Sequence, residues 1–200
     1  MPSPTLIVVS GPPGAGKTTL AHTVAAAIGC PAICRDEIKE GMVHARPGYG
    51  PSLSDELNRR TLAAFFDVLR LLLGAGVTVV AEAAFQDRLW RPGLESLLDL
   101  ATVRIIRCTA SAEVARKRIA RRLEEDLHRA AHDDREYLEA RTIDGKSLGT
   151  FSWITLSTPS FQVDTSVGYI PPLPDILAFI NESGGDSDGG LGAIRDPHPP

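Results

Sequence analysis

The chain has 200 residues, a formal net charge of −4 and a sequence pI near 5.7, with 43% hydrophobic and 23% charged residues. At this size that is the composition of one globular domain able to close a core, which excludes wholesale disorder, and no apolar run approaches the roughly 18 residues of a membrane span. A slightly acidic chain has no global field for nucleic acid, so a nucleic-acid partner is not expected unless a local basic patch binds phosphates.

Thr5 to Ser10, T-L-I-V-V-S, is a continuous run rich in β-branched residues, the pattern of a strand buried on both faces. The preceding Met1-Pro2-Ser3-Pro4 lacks the basic flank of a secretory signal, and a cytoplasmic location is expected. After a glycine-rich turn, Leu20, Val24, Ala27 and Ile28 recur at helical spacing, with Gly29 as the stop. Pro31 to Cys34 predicts a second strand, and Asp36 opens a helix through Ile38, Met42 and Val43. Arg46 to Pro51 reads as loop, and Ser52 with Asp55 forms a capping box for a long helix that reaches Leu73. Val77 to Ala81 predicts a third strand, Pro92 to Leu100 a short helix opened by proline, and Thr102 to Cys108 a fourth strand. A basic helix runs from Ser111 through Arg122. The charge-rich stretch Glu124 to Glu136 has no good apolar face, which predicts a mobile lid over residues 122–142. Phe161 to Asp164 and Leu173 to Ile180 complete the pattern as a last strand and a last helix. Residues 1–182 thus read as one domain, and 183–200 are too poor in apolar residues to offset their ordering entropy. The three cysteines, Cys30, Cys34 and Cys108, are odd in number and without framework spacing, as reduced thiols of a reducing compartment are.

Strands alternating with helices predict an α/β fold of three layers, a mostly parallel sheet of about five strands with helices on both faces and ligands at the carboxyl ends of the strands. Gly11-Pro12-Pro13-Gly14-Ala15-Gly16-Lys17-Thr18 fits G-x-x-x-x-G-K-[ST] directly after a strand and directly before a helix. Such a loop turns its N–H groups inward around phosphate oxygens at a helix N-terminus, Lys17 reaches the β- and γ-phosphates, and Thr18 Oγ can hold Mg²⁺. Thr19 follows as a further nucleotide-contacting position. ATP, or GTP, with Mg²⁺ is the expected ligand, against the alternative of a glycine turn that binds nothing. A switch GTPase would carry N-K-x-D and a strand ending in Asp, whereas this chain has neither and its third strand runs to Glu82.

From Leu6 to Ile180 the chain resembles the P-loop small-molecule kinases, a group that includes chloramphenicol phosphotransferase, zeta toxin, gluconate and shikimate kinases, and related AAA-type ATP-binding kinases. The phosphate loop, an acid after the second strand and an arginine-rich helix before a polar lid carry that resemblance. It implies that Asp36, in C-R-D-E-I-K, acts as base towards an acceptor hydroxyl, with Glu37 as understudy; the chemistry of phosphoryl transfer asks for such a group on its own account. The alternative is that Asp36 only caps its helix. V-A-E-A-A-F from Val80 to Phe85 departs from the group's V-D-A-T-F by a methylene at Glu82 and a lost hydroxyl at Ala84. Glu82 is a candidate for a Mg²⁺-water or substrate contact, or else for an ion pair with an arginine.

Arg118-Ile119-Ala120-Arg121 matches an R-x-x-R of related kinases whose lid arginines clamp phosphates and stack on adenine, and Arg122 shares the face of Arg118. A solvated basic face balanced by Glu124, Glu125 and Asp126 is the alternative. Asp164-Thr165-Ser166 resembles the group's D-T-S near adenine, or is an ordinary Asx turn. Arg88 and Arg91 are either substrate or γ-phosphate contacts or part of a solvated loop, and Lys39, Tyr49 and Arg59 could line an acceptor pocket. His128 and His132 lack the glutamate of a zinc motif and read as lid surface, and Cys30 and Cys34 read as packing. The resulting expectation is an ATP-dependent phosphotransferase for a hydroxyl of an antibiotic, sugar or nucleoside type of small molecule. Lys17, Arg118, Arg121 and Mg²⁺ would stabilise the transferring phosphoryl group. Its rivals are a polynucleotide 5′-hydroxyl kinase, which 6% aromatic residues do not advertise, and a nucleotide-binding regulatory or toxin-type protein.

Overall fold

A computed structural model describes residues 3–45, 54–125 and 151–182. In chain order the elements are β1 (Thr5–Ser10), α1 (Lys17–Ile28), β2 (Ala32–Cys34), α2 (Arg35–His44), α3 (Ser54–Gly74), β3 (Val79–Glu82), α4 (Asp87–Glu95), β4 (Thr102–Thr109), α5 (Ala112–Glu125), β5 (Ser160–Asp164) and α6 (Leu173–Asn181). The strands form one sheet in the order β2-β3-β1-β4-β5, with every neighbouring pair parallel. All five carboxyl ends therefore meet along one edge of the sheet, where the loops that follow Ser10, Glu82, Thr109 and Asp164 converge with the start of α2 directly after Cys34.

The unbroken apolar run of β1 is explained by its two covered faces. Successive side chains alternate across a strand, so Leu6 and Val8 enter one core while Ile7 and Val9 enter the other, and all four are fully buried. The first core lies under α3 and α4, where Phe65, Phe66, Phe85 and Trp90 interlock; the Phe85 and Trp90 ring centroids are 4.9 Å apart. The second lies under α1 and α6, where Leu20, Val24, Ile176 and Phe179 meet Ile7, Val9, Val80 and Ile106.

Two elements fall elsewhere than the sequence pattern places them. The third strand begins at Val79 rather than Val77 and runs to Glu82, which makes that carboxylate the last residue of a strand whose four residues are all buried. The short helix expected over Pro92 to Leu100 is α4, which starts at Asp87 after the sharp turn at Phe85 (φ +47°) and contains Pro92. Trp90 and Leu94, four residues apart, bury its inner face, and the N–H that proline lacks would have bonded the carbonyl of Arg88 on the solvent side. Core burial at i and i+4 outweighs that single lost bond. Asp36 does not cap α2 either: Cys34 is the N-cap residue, and Asp36 lies in the first turn.

Residues 151–158, which carry no periodic signal, lie against the sheet irregularly. Ile154 is buried in the α3/α4 core, and Trp153 packs on Phe151 and under the Arg107 guanidinium, 5.8 Å from its ring centroid. The Ser52–Asp55 capping box, Tyr49, His128, His132, the bulk of the expected lid and residues 183–200 lie outside the described residues. Among the described residues no helix is long and apolar enough to cross a membrane.

Candidate active site

The loop from Gly11 to Gly16 connects the buried end of β1 to the first turn of α1. A Cβ at Gly11 would stand 2.4 Å from the carbonyl oxygen of Cys108, and Gly16, at φ +75°, is the N-cap residue of α1. Side chains at either place would force the backbone away from the concave path that gathers N–H groups about an anion. Lys17 Nζ donates to the carbonyl of Pro12 at 3.1 Å and stands 4.0 Å from Glu82 Oε1. Thr18 Oγ1 donates to Glu82 Oε2 at 3.2 Å.

Register explains how Glu82 comes to this place. It pairs with Val9 on one side and Cys34 on the other, directly beside the phosphate loop. Only 3% of it is exposed. Burial pushes its carboxyl above the usual range; Lys17 pulls it back, Asp36 pushes further up, the Thr18 hydroxyl pulls down, and Glu37 adds a smaller upward push. A buried carboxylate and a threonine hydroxyl within 3.2 Å of each other form the hard oxygen donor set that suits Mg²⁺, and the cation would relieve the charge that burial penalises. The donor set of Thr18 and Glu82 fits Mg²⁺.

Asp36 stands on the same edge, one residue after the β2–α2 junction and about half exposed. Arg35 Nη1 donates to Asp36 Oδ1 at 2.9 Å, and its Nη2 donates to Asn58 Oδ1 of α3 at 2.6 Å. Arg35 thus ties the Asp36 carboxylate of α2 to α3. Sequence reading passed over it because its partner Asn58 lies 23 positions away. His22 of α1 reaches the same corner, donating from Nε2 to Glu37 Oε1 at 2.6 Å with Cys34 Sγ 3.7 Å from that nitrogen. Burial, with Glu82 and Glu37 beside it, pushes the Cys34 thiol up.

On the other flank α5 brings Arg118 to the loop. Its Nη1 donates to Gly14 O at 3.2 Å and Thr165 Oγ1 at 2.9 Å, and its Nη2 to Thr165 O at 2.5 Å. Thr165 Oγ1 in turn donates to Ala15 O at 2.8 Å. Asp164 closes an Asx turn onto the N–H of Ser166 at 2.6 Å, and the Ser166 hydroxyl, followed by that N–H, holds its carboxyl below the usual range. The Asx turn and proximity to the phosphate loop therefore coexist. Gly16, Thr19, Arg118, Arg121, Arg122, Thr165, Gly168 and Tyr169 enclose a pocket of about 270 Å³ beside the loop. Gly168 and Tyr169, part of the excursion after β5, are additions that no local motif announced.

The remaining candidates are dispersed. Lys39 is 3% exposed within α2, Arg59 pairs with Glu56 on the surface of α3, and Arg88 is exposed on the first turn of α4. Arg91 is engaged structurally, 3.3 Å from Asp87 and donating to the carbonyl of Thr155 at 2.9 Å.

A family model described as an AAA domain matches residues 6–142. Uncharacterized proteins of Mycobacterium tuberculosis and Mycobacterium bovis are 32% identical to this chain over 129 residues, 58% of this chain and 25% of theirs. The chain spans about a quarter of the length of the curated relatives it matches. Among solved structures, a candidate kinase of Chloroflexus aurantiacus is 25% identical with a TM-score of 0.72, over 90% of this chain and 96% of that one. A sugar kinase of a Janibacter species (19% identity, TM-score 0.59, 90% and 95% covered) has the same fold. So does the APS kinase of Mycobacterium tuberculosis bound to AMPPNP and APS (13%, 0.61, 91% and 100%).

Proposed function

The chain belongs to the AAA domain family, and from that premise we propose that it is an ATP-dependent phosphotransferase acting on a hydroxyl of a small molecule, with Asp36 as base. The observation that carries the reading is the half-exposed Asp36 carboxylate, near enough to buried Glu82 to raise its proton affinity and on the same sheet edge as the phosphate loop. Transfer through a loose transition state needs an aligned hydroxyl, a proton acceptor and positive charge about the moving group. Asp36 takes the proton of the acceptor hydroxyl as its oxygen bonds to the γ-phosphorus and the bond to the β–γ bridging oxygen breaks, releasing ADP. Arg35, anchored on Asn58, holds the carboxylate in place.

Lys17 supplies charge from the loop, and Arg121 and Arg122 supply it from the pocket rim. Arg118 acts by bracing the loop backbone through Gly14 and Thr165. Thr18 and Glu82 would hold Mg²⁺, which when bound would neutralise charge on the phosphate oxygens. The acceptor is of antibiotic, sugar or nucleoside type, and the three free thiols suit a cytoplasmic setting.

The test is ATP consumption with Mg²⁺ against a panel of hydroxylated antibiotics, sugars, nucleosides and 5′-hydroxyl oligonucleotides, every reaction analysed by mass spectrometry, with GTP in parallel. A gain of one phosphoryl group on a single small compound, lost in Asp36→Asn, is the expected result. Phosphorylation of oligonucleotides alone, or ATP binding with no phosphorylated product, overturns the reading.

A further inference from the structure

We infer that His22, Cys34 and Glu37 form a binding site for a zinc-like divalent cation, separate from the oxygen donors of Thr18 and Glu82. The three side chains come from three elements, α1, the end of β2 and α2, and their ligand atoms all lie within 4.8 Å of one another. Nitrogen, sulfur and carboxylate oxygen together are the donor set that borderline-soft zinc takes, whereas Mg²⁺ and Ca²⁺ take oxygen.

Tetrahedral zinc with bonds of about 2.0–2.3 Å spaces its ligand atoms about 3.3–3.6 Å apart. Cys34 Sγ and His22 Nε2 stand 3.7 Å apart, close to that spacing. His22 Nε2 and Glu37 Oε1, at 2.6 Å, share a proton and must part by some tenths of an ångström to admit a cation. Both can do so, since their side chains are 50% and 48% exposed. Cys34, 2% exposed, provides the fixed inner ligand at the strand end. Glu82 and Glu37 both act on the Cys34 sulfur, so the corner carries the negative field that a divalent cation needs. On binding, the Cys34 thiol proton passes to buffer and the ring proton of His22 moves to Nδ1, leaving Nε2 as ligand. Three protein ligands leave a fourth position open on the solvent side.

The site stands independently of the phosphotransfer reading, and its test uses the full chain with metal alone. Titration with Co²⁺ in Mg²⁺-free buffer is expected to saturate at one equivalent with a thiolate-to-cobalt charge-transfer band, and Zn²⁺ is expected to displace the cobalt. The band should vanish in Cys34→Ser and persist in Cys30→Ser. Affinity should fall by about tenfold or more in His22→Ala and in Glu37→Gln. Circular dichroism of each variant shows whether it folds; if Cys34→Ser does not, His22→Ala at its exposed position decides. Absence of the band, its survival in folded Cys34→Ser, or unchanged affinity in His22→Ala overturns the site.

Discussion

Replacing Thr165 by valine keeps the shape of the side chain and removes only its hydroxyl. That oxygen accepts from Arg118 Nη1 at 2.9 Å and donates to the carbonyl of Ala15 at 2.8 Å, in a residue 4% exposed. A net hydrogen bond between neutral groups contributes about 0.5–1.5 kcal/mol and one to a charged group about 1.5–3, so the loss sums to about 2–4.5 kcal/mol. For a chain of this length 1 kcal/mol shifts the melting temperature by about 2–4 °C, and a fall of about 4–18 °C is expected by circular dichroism. ATP affinity, measured by calorimetry, should fall by about tenfold because Ala15 and Gly14 belong to the phosphate loop and lose a brace. Thr165→Ser should restore both quantities in large part. In a double-mutant cycle with Arg118→Ala the coupling should reach about 1 kcal/mol. If Thr165→Val melts within about 0.5 kcal/mol of wild type and binds ATP equally, the bridge carries no energy and the reasoning fails.

Asp36→Asn should leave ATP affinity intact and lower phosphoryl transfer by about 10²–10⁴-fold, read as initial rates with a responsive acceptor, whereas Lys17→Ala should impair both. The folded-state carboxyl of Glu82 is raised above its ordinary 4.5, chiefly by burial, so its stabilising contribution is full below that value and is lost as pH rises through the raised one. Without divalent cations Glu82→Gln should therefore melt higher than wild type at pH 8, with the two converging near pH 4. Addition of Mg²⁺ and nucleotide should stabilise wild type more than the variant, and the reverse order would contradict the assignment. At Gly93 an added Cβ would lie 2.2 Å from the Phe66 ring, so Gly93→Ala should cost about 1–3 kcal/mol, seen as a lower urea midpoint at constant slope.

Much of the site was legible because its pieces are local. The phosphate loop is a contiguous motif, Asp36 lies two residues after the end of a strand, and Glu82 closes an apolar run, so the position of each is given by periodicity and turn chemistry alone. Arg118 was legible as a candidate but its partners were not, since Gly14 and Thr165 lie 104 and 47 positions away. The same limit hid Arg35 with Asn58, and the meeting of His22, Cys34 and Glu37. Proline was read as a helix start at Pro92, although the burial of Trp90 and Leu94 decides where α4 begins.

The sequence by itself determined the kinds of element, their alternation and the presence of a phosphate-binding loop, because these depend on residue spacing within a turn or a strand. Tertiary structure decided the strand order, which sets Glu82 between Val9 and Cys34, and the packing of α5 and the β5 excursion against the loop. Those contacts join residues distant in the chain, and their energy is available only after the sheet has assembled and brought its strand ends to one edge.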